Sequence, residues 1–216
     1  MFVRILSFAL RGVEALPVAV EVDVSPGIPF FEVVGLPDAS VRESRERVRA
    51  ALKNGGWALP PLRITVNLAP AHLRKAGPGF DLAIALGLLV ATGQVPAGLL
   101  DGIGVVGELA LDGSLRPVEG ALVMAWTAQQ IGLAGFLVSR HSAAEAAAAG
   151  GKVWGASDLG EVVSHLVGTA PLPPASPRRA EDTVAVGPDL ADVRGQAVGR
   201  RALEVSAAGG HNLLIL

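Results

Sequence analysis

The sequence predicts an α+β protein: one mixed domain over residues 1–168, a proline-rich linker over 169–187, and the opening elements of an α/β module over 188–216. Three observations carry this prediction. Val18, Val20, Val22 and Val24 alternate with Ala19, Glu21 and Asp23, the period-two pattern of a half-buried strand. Phe80 to Ala91 is apolar nearly all round, as a helix inside a core must be. From Gly168 the run GTAPLPPASPRRAED has no period that could bury a face, and its prolines mark it as a linker.

The elements follow in order. Pro26–Gly27 breaks the first strand, and Phe30 to Val34 forms another that stops at Gly35–Leu36–Pro37. Asp38 stands where a carboxylate can accept the unpaired amide protons of a first helical turn, so a helix is expected from Ala39 to Lys53. Val41, Val48 and Leu52 form its buried stripe, while Arg42, Arg45, Arg49 and Lys53 recur along another face. Glu43 precedes Arg47 by four residues, an order worth only about 0.2–0.5 kcal/mol. Asn54–Gly55–Gly56 ends the helix. Leu62 to Leu68 is rich in β-branched residues and reads as a strand stopped by Pro70. After the loop AHLRKAGPG comes the apolar helix, with Asp81 at its start, where a negative charge suits the dipole.

Ile103 to Leu109 and the segment beyond the Asp112–Gly113 turn predict a hairpin, followed by a helix from about Glu119 to Ile131. A strand (FLVS after Gly135), a short helix (Ala143 to Ala149), a strand (Lys152 to Trp154) and a helix (Asp158 to Val167) complete the domain. Beyond the linker, Gln196 to Ala207 is expected to be helical. Two glycines then lead into Leu213 to Leu216, an apolar run expected to be a strand buried on both faces.

Composition narrows the function. Half the residues are hydrophobic, 18 basic residues nearly balance 20 acidic ones, and the net charge is −2, which excludes a globally basic footprint for nucleic acid. Any DNA contact must be local. The absence of cysteine rules out disulfides, thiolate metal sites and cysteine nucleophiles. His72, His141, His165 and His211 show no ligand spacing, so no metal site is expected. Arg4, Arg11 and Glu14 interrupt the start, and the longest apolar segment, Leu82 to Ala91, is about half of the ~20 residues a membrane span requires. A cytoplasmic protein without a membrane segment is expected.

Three stretches, VGLPDASVRESRERVRAAL, ITVNLAPAHLRKAGPGFDLAIALGLL and DLADVRGQAVGRRALEVSAAGGHNLLIL, together resemble the ComM/YifB group of magnesium-chelatase-like AAA+ ATPases over nearly the whole chain. The resemblance implies that residues 1–168 are a Lon-protease-like, ribosomal-S5-domain-2-like domain, similar to the one in RadA. It implies that 188–216 is the front edge of an AAA+ module, ending one step before its Walker A loop. A parent protein with these parts is expected to form a hexameric ring, to use ATP and Mg2+, and to drive branch migration of DNA during natural transformation. This stretch alone is expected to hold no cofactor tightly.

Residue by residue, the resemblance places Val193, Gly195 and Gln196 beside the adenine. It sets Gly79 at the position of a Lon nucleophile and Leu122 at that of its lysine base. Neither side chain can do that chemistry, so no catalytic residue is expected. A free-standing oligomerisation module is the alternative, and a less favoured one is a rebuilt serine–lysine peptidase using Ser114 and Lys75. The row Arg42, Arg45, Arg49 and Lys53, with Arg74 and Lys75, reads either as a solvated face or as a local contact for DNA phosphates, which Arg178 and Arg179 would extend.

Overall fold

The computed structural model describes residues 1–178 and 189–215, which fall into two compact units, Met1–Arg178 and Arg179–Leu216. In the first unit β1 (Phe2–Arg11) and β2 (Glu14–Ser25) form an antiparallel hairpin turned at Gly12, whose φ of +62° suits glycine. β3 (Phe30–Val34) leads into α1 (Ala39–Asn54), then β4 (Arg63–Ala69), a short 3-10 turn (Pro78–Phe80) and α2 (Asp81–Ala91). β5 (Ile103–Val105) is followed by a two-stranded ribbon, β6 (Glu108–Leu109) with β7 (Leu115–Arg116), and by α3 (Ala121–Gln130). β8 (Gly135–Ser139), α4 (Arg140–Ala147), β9 (Val153–Ala156) and α5 (Leu159–Leu166) complete the unit.

Seven strands form one sheet in the order β3-β4-β2-β1-β5-β8-β9. β3/β4, β1/β5, β5/β8 and β8/β9 pair in parallel, while β1/β2 and β2/β4 are antiparallel. The unit is therefore a mixed α and β structure with a mostly parallel sheet. The hairpin expected over 103–109 is shorter than predicted: Ile103–Val105 joins β1 and β8, and only Glu108–Leu109 turns back on β7. Gly104 lies under Phe8 and Phe136, whose rings would be 2.9 and 3.0 Å from an added Cβ, so that position is committed to the interior of the sheet.

Helices cover both faces, and strand alternation shows it. Leu137 points into a core shared with Val20, Val22, Val48, Leu52 and most of α2, whereas Phe136 and Val138 point into a second core with Phe8, Met124 and Ala143. α2 is buried from Asp81 to Val90, as its composition requires. It approaches β2 so closely at Gly87 that an added Cβ would sit 2.6 Å from Val22. Among the described residues, no helix is long and apolar enough to cross a membrane.

The first unit extends ten residues past the boundary expected at 168. The amide of Ala175 donates to the Val153 carbonyl at 2.8 Å, Pro174 lies across Trp154, and the Leu172 amide donates to Nδ1 of His165 at 3.0 Å. β9 would otherwise be a bare edge, and a proline-containing segment can cover it without propagating the ladder. Residues 179–187 of the expected linker lie outside the described residues.

This cover has a titratable latch. His165 packs at a tilt against Trp154, with ring centroids 4.9 Å apart and 49° between the planes, and burial lowers its pKa from the ordinary imidazole range. A neutral ring accepting at Nδ1 carries its proton on Nε2, so the next proton must take the acceptor site. Because the folded value lies below the unfolded one, the stability His165 contributes is present above about pH 6.5 and is lost as pH falls through the folded value. Hydrogen exchange should show the Leu172 amide losing about fivefold in protection between pH 7.5 and the acid limb, equivalent to a bond worth about 1 kcal/mol. That loss should be absent in His165→Phe.

In the second unit Asp189 and Asp192 cap a 3-10 turn (Leu190–Asp192) reciprocally, and α6 runs Ala197–Gly209, ending at Gly210 with φ +62°. The strand expected over 213–216 is not formed among the described residues. Leu213, Leu214 and Ile215 are exposed, because no strand of this unit lies beside them to supply a ladder. Leu216 lies outside the described residues.

Candidate functional site

The N-terminus of α1 is held from two directions. One oxygen of Asp38 accepts from the Val41 amide at 2.8 Å, as the sequence predicts, and the other accepts from the Gly77 amide at 3.3 Å, tying the helix to the 70–80 loop. The loop itself is pinned by Lys75. Its ammonium donates to the carbonyls of Gly35 (2.9 Å) and Pro70, its side chain is fully buried, and burial lowers its pKa from the usual lysine range. The expectation that Lys75 is a solvated or phosphate-facing cation is therefore corrected: the carbonyls of two tight turns need a long donor more than the surface needs a charge.

The body of α1 is anchored by Arg47, which sequence periodicity assigned only to a weak pair with Glu43. That pair exists at 3.8 Å, but the guanidinium grips Asp81 through two bonds, Nε to Oδ2 at 2.6 Å and Nη2 to Oδ1 at 3.0 Å. It also reaches Ser40 O and Ser44 Oγ, while Asp81 accepts from the Ser44 hydroxyl and from the Leu109 amide. Burial pushes the Asp81 carboxyl up, against the pull of Arg47 and Ser44, and the hydrogen bond to Asp81 raises Arg47. A fork-to-carboxylate contact of this kind sets orientation as well as energy. The signal in the sequence is an acid at the start of an otherwise apolar helix.

With its inner face locked, α1 presents Arg42, Arg45, Arg49 and Lys53 to solvent along one side. Arg42 donates to Pro37 O at 3.3 Å and Arg45 pairs with Glu46 at 2.9 Å. Arg45 and Arg49 line a cleft of about 410 Å³ whose other walls include Phe30, Pro60 and Pro61. Arg74 does not join them. It lines a separate groove with Arg11 and His72. Arg178 is exposed at the end of the first unit, and Arg179 lies outside the described residues.

Gly79 borders a cleft of about 380 Å³ between the 76–80 loop, Val106 and the segment 117–119. Leu122 is outside that lining, and its amide donates to Glu145. Ser114 bonds Asp112 through both its amide (2.9 Å) and its hydroxyl (2.7 Å), contacts that hold the Asp112 carboxyl below its usual range. Ser114 and Lys75 are thus each engaged elsewhere and share no hydrogen bond. In the second unit Gln196 (φ +50°) and Gly195 (φ +70°) are both left-handed, and Val193 is partly exposed. None of the three lines the open apolar groove beside α6. Among the described residues no group of three or more histidine or acidic side chains gathers as a metal would need.

These two units have counterparts. The chain belongs to the family described as subunit ChlI of Mg-chelatase, which matches residues 20–142, and a second description, magnesium chelatase, subunit ChlI, matches 189–216. It is 44% identical to the uncharacterized protein YifB of Escherichia coli (strain K12) over 96% of its own length and 41% of that protein's. It is 42% identical to the competence protein ComM of Haemophilus influenzae over 98% of its length and 42% of that protein's. The chain thus spans about two-fifths of the curated relatives it matches.

Proposed function

We propose that this chain is the N-terminal part of a ComM-like AAA+ ATPase. The complete protein assembles as a hexameric ring in the cytoplasm, binds ATP with Mg2+, and drives branch migration of DNA during transformation and recombination. In this reading the first unit is a Lon-like domain without peptidase chemistry that contacts DNA or organises the ring. One observation carries it: the match to ComM runs through both units in order, over 98% of the chain. In this reading Val193, Gly195 and Gln196 border the adenine, and no catalytic step is assigned to the residues of this chain.

The test is movement of a synthetic branched DNA junction by the complete protein. ATP-dependent conversion to product, lost when ATP is replaced by a non-hydrolysable analogue, is expected. Conversion without nucleotide, or none under any condition, overturns the reading. An assembly role is favoured by Leu122 and Trp126, one turn apart on α3 and both exposed. Mass in solution tests that role.

A further inference from the structure

β3 ends the sheet, and among the described residues it pairs on one side only, with β4. The Phe30 amide donates inward to the Leu62 carbonyl at 3.4 Å, so alternation turns the amides and carbonyls of Phe31 and Val33 to the open margin. The side chains of these two residues lie on the face that α1 covers, Phe31 buried and Val33 half-buried against the core.

α1 lines this margin with positive charge. Arg47 meets Asp81 of α2, which packs on β1 and β2, so that flank of α1 looks toward the middle of the sheet. Arg45 and Arg49 stand two residues to either side of Arg47, about 200° round the helix, and so on the flank that looks toward β3. Both are exposed, and both line the cleft of about 410 Å³ together with Phe31 and Leu62.

We propose that the groove between α1 and β3 takes an extended acidic segment of a partner protein, which adds a strand to the sheet and sets the carboxylates of alternate residues on Arg45 and Arg49. β3 runs into α1 through the turn at 35–38, so strand and helix lie alongside. Residues on one side of a strand repeat at roughly 6.6 Å, and residues four apart on a helix at roughly 6 Å. One carboxylate per two residues therefore keeps step with one cation per helical turn, and Lys53 continues the row. Main-chain pairing along an edge supplies affinity in contacts of this kind, and alternate side chains supply selectivity. Such a contact recruits an acidic protein and requires no DNA.

A nucleic-acid strand brings negative charge too, but it suits the margin less well. Its phosphates only accept hydrogen bonds, whereas the outward carbonyls of Phe31 and Val33 need donors, which peptide amides provide. Glu46 also lines the cleft and accepts from Nε of Arg45, so a visiting carboxylate meets Arg45 at its outer nitrogens and Arg49 across its whole fork.

The experiment is fluorescence anisotropy of the complete protein with a labelled peptide that alternates glutamate and threonine. It should bind more tightly than its lysine–threonine counterpart and than a peptide of the same composition with its glutamates in one block. N-methylating two of the amides that face β3, those of the glutamates or of the threonines according to strand direction, should weaken it by about 5- to 150-fold, equivalent to two lost hydrogen bonds. Methylating the other set should change little. Arg45→Gln with Arg49→Gln should weaken the alternating peptide by about 2- to 30-fold, the range for two exposed ion pairs. An unaltered melting curve shows that this variant is folded; if it is not, the lysine and N-methylated peptides decide alone. No binding, binding that methylation of neither set weakens, or binding that the lysine peptide matches overturns the proposal. Single-stranded DNA that binds more tightly than the peptide and loses its affinity in the same variant assigns the row to phosphates and overturns it. Self-association that the variant abolishes and the peptide fails to suppress makes a second copy the occupant, and overturns it as well.

Discussion

Asp81→Ala is expected to cost the first unit about 3–5 kcal/mol, the range for removing one partner of a buried ion pair. The carboxylate is fully buried and receives Arg47, the Ser44 hydroxyl and the Leu109 amide. Without it a guanidinium that is itself mostly covered faces apolar surroundings with two of its donors unmet. Urea denaturation followed by circular dichroism measures the loss. Arg47→Ala should cost a comparable amount, and the double variant much less than the sum, because the second change removes the charge that the first one stranded. Strict additivity would show that the two residues do not act as a unit.

Lys75→Ala should be the next most damaging substitution, at about 2–5 kcal/mol, since it opens a cavity and leaves the carbonyls of Gly35 and Pro70 without a donor. Lys75→Met refills the space and also removes the desolvated charge, so it should recover a substantial part of that loss. If methionine proves as harmful as alanine, the donor matters and the volume does not. Because Lys75 N donates to Leu36 O and Asp38 N to Lys75 O, both variants should also loosen the entry to α1. Reduced amide protection at Val41 would report it.

Much of the fold was legible in the residues. The N-cap at Asp38, the strand Phe30–Val34 and the wholly buried α2 follow from local rules of capping, alternation and all-round hydrophobicity, which depend on neighbours in the chain. What was not legible depends on partners far away. β5 pairs with strands nearly a hundred residues before it and thirty after, and a three-residue strand has no pattern that could announce this. The cover over β9 was hidden for a similar reason: a proline-rich stretch looks the same whether it spans solvent or lies along an edge.

The candidate site divides along the same line. The cationic row on α1 was visible as helical spacing, and the structure keeps four of its members outside. It also shows what spacing could not: that Lys75 turns inward, that Arg74 belongs to another groove, and that Phe30 and the prolines at 60 and 61 stand beside Arg45 and Arg49. Arg47, identical in kind to its neighbours, is the one that faces the core.

The capping of β9 has a further consequence for how copies of this chain could combine. One lateral margin of the sheet is already taken, so any copy joining through main-chain pairing must do so at the opposite margin, along β3. A visiting strand laid there would begin beside Phe30, half of which is exposed, and the joining copy would cover it.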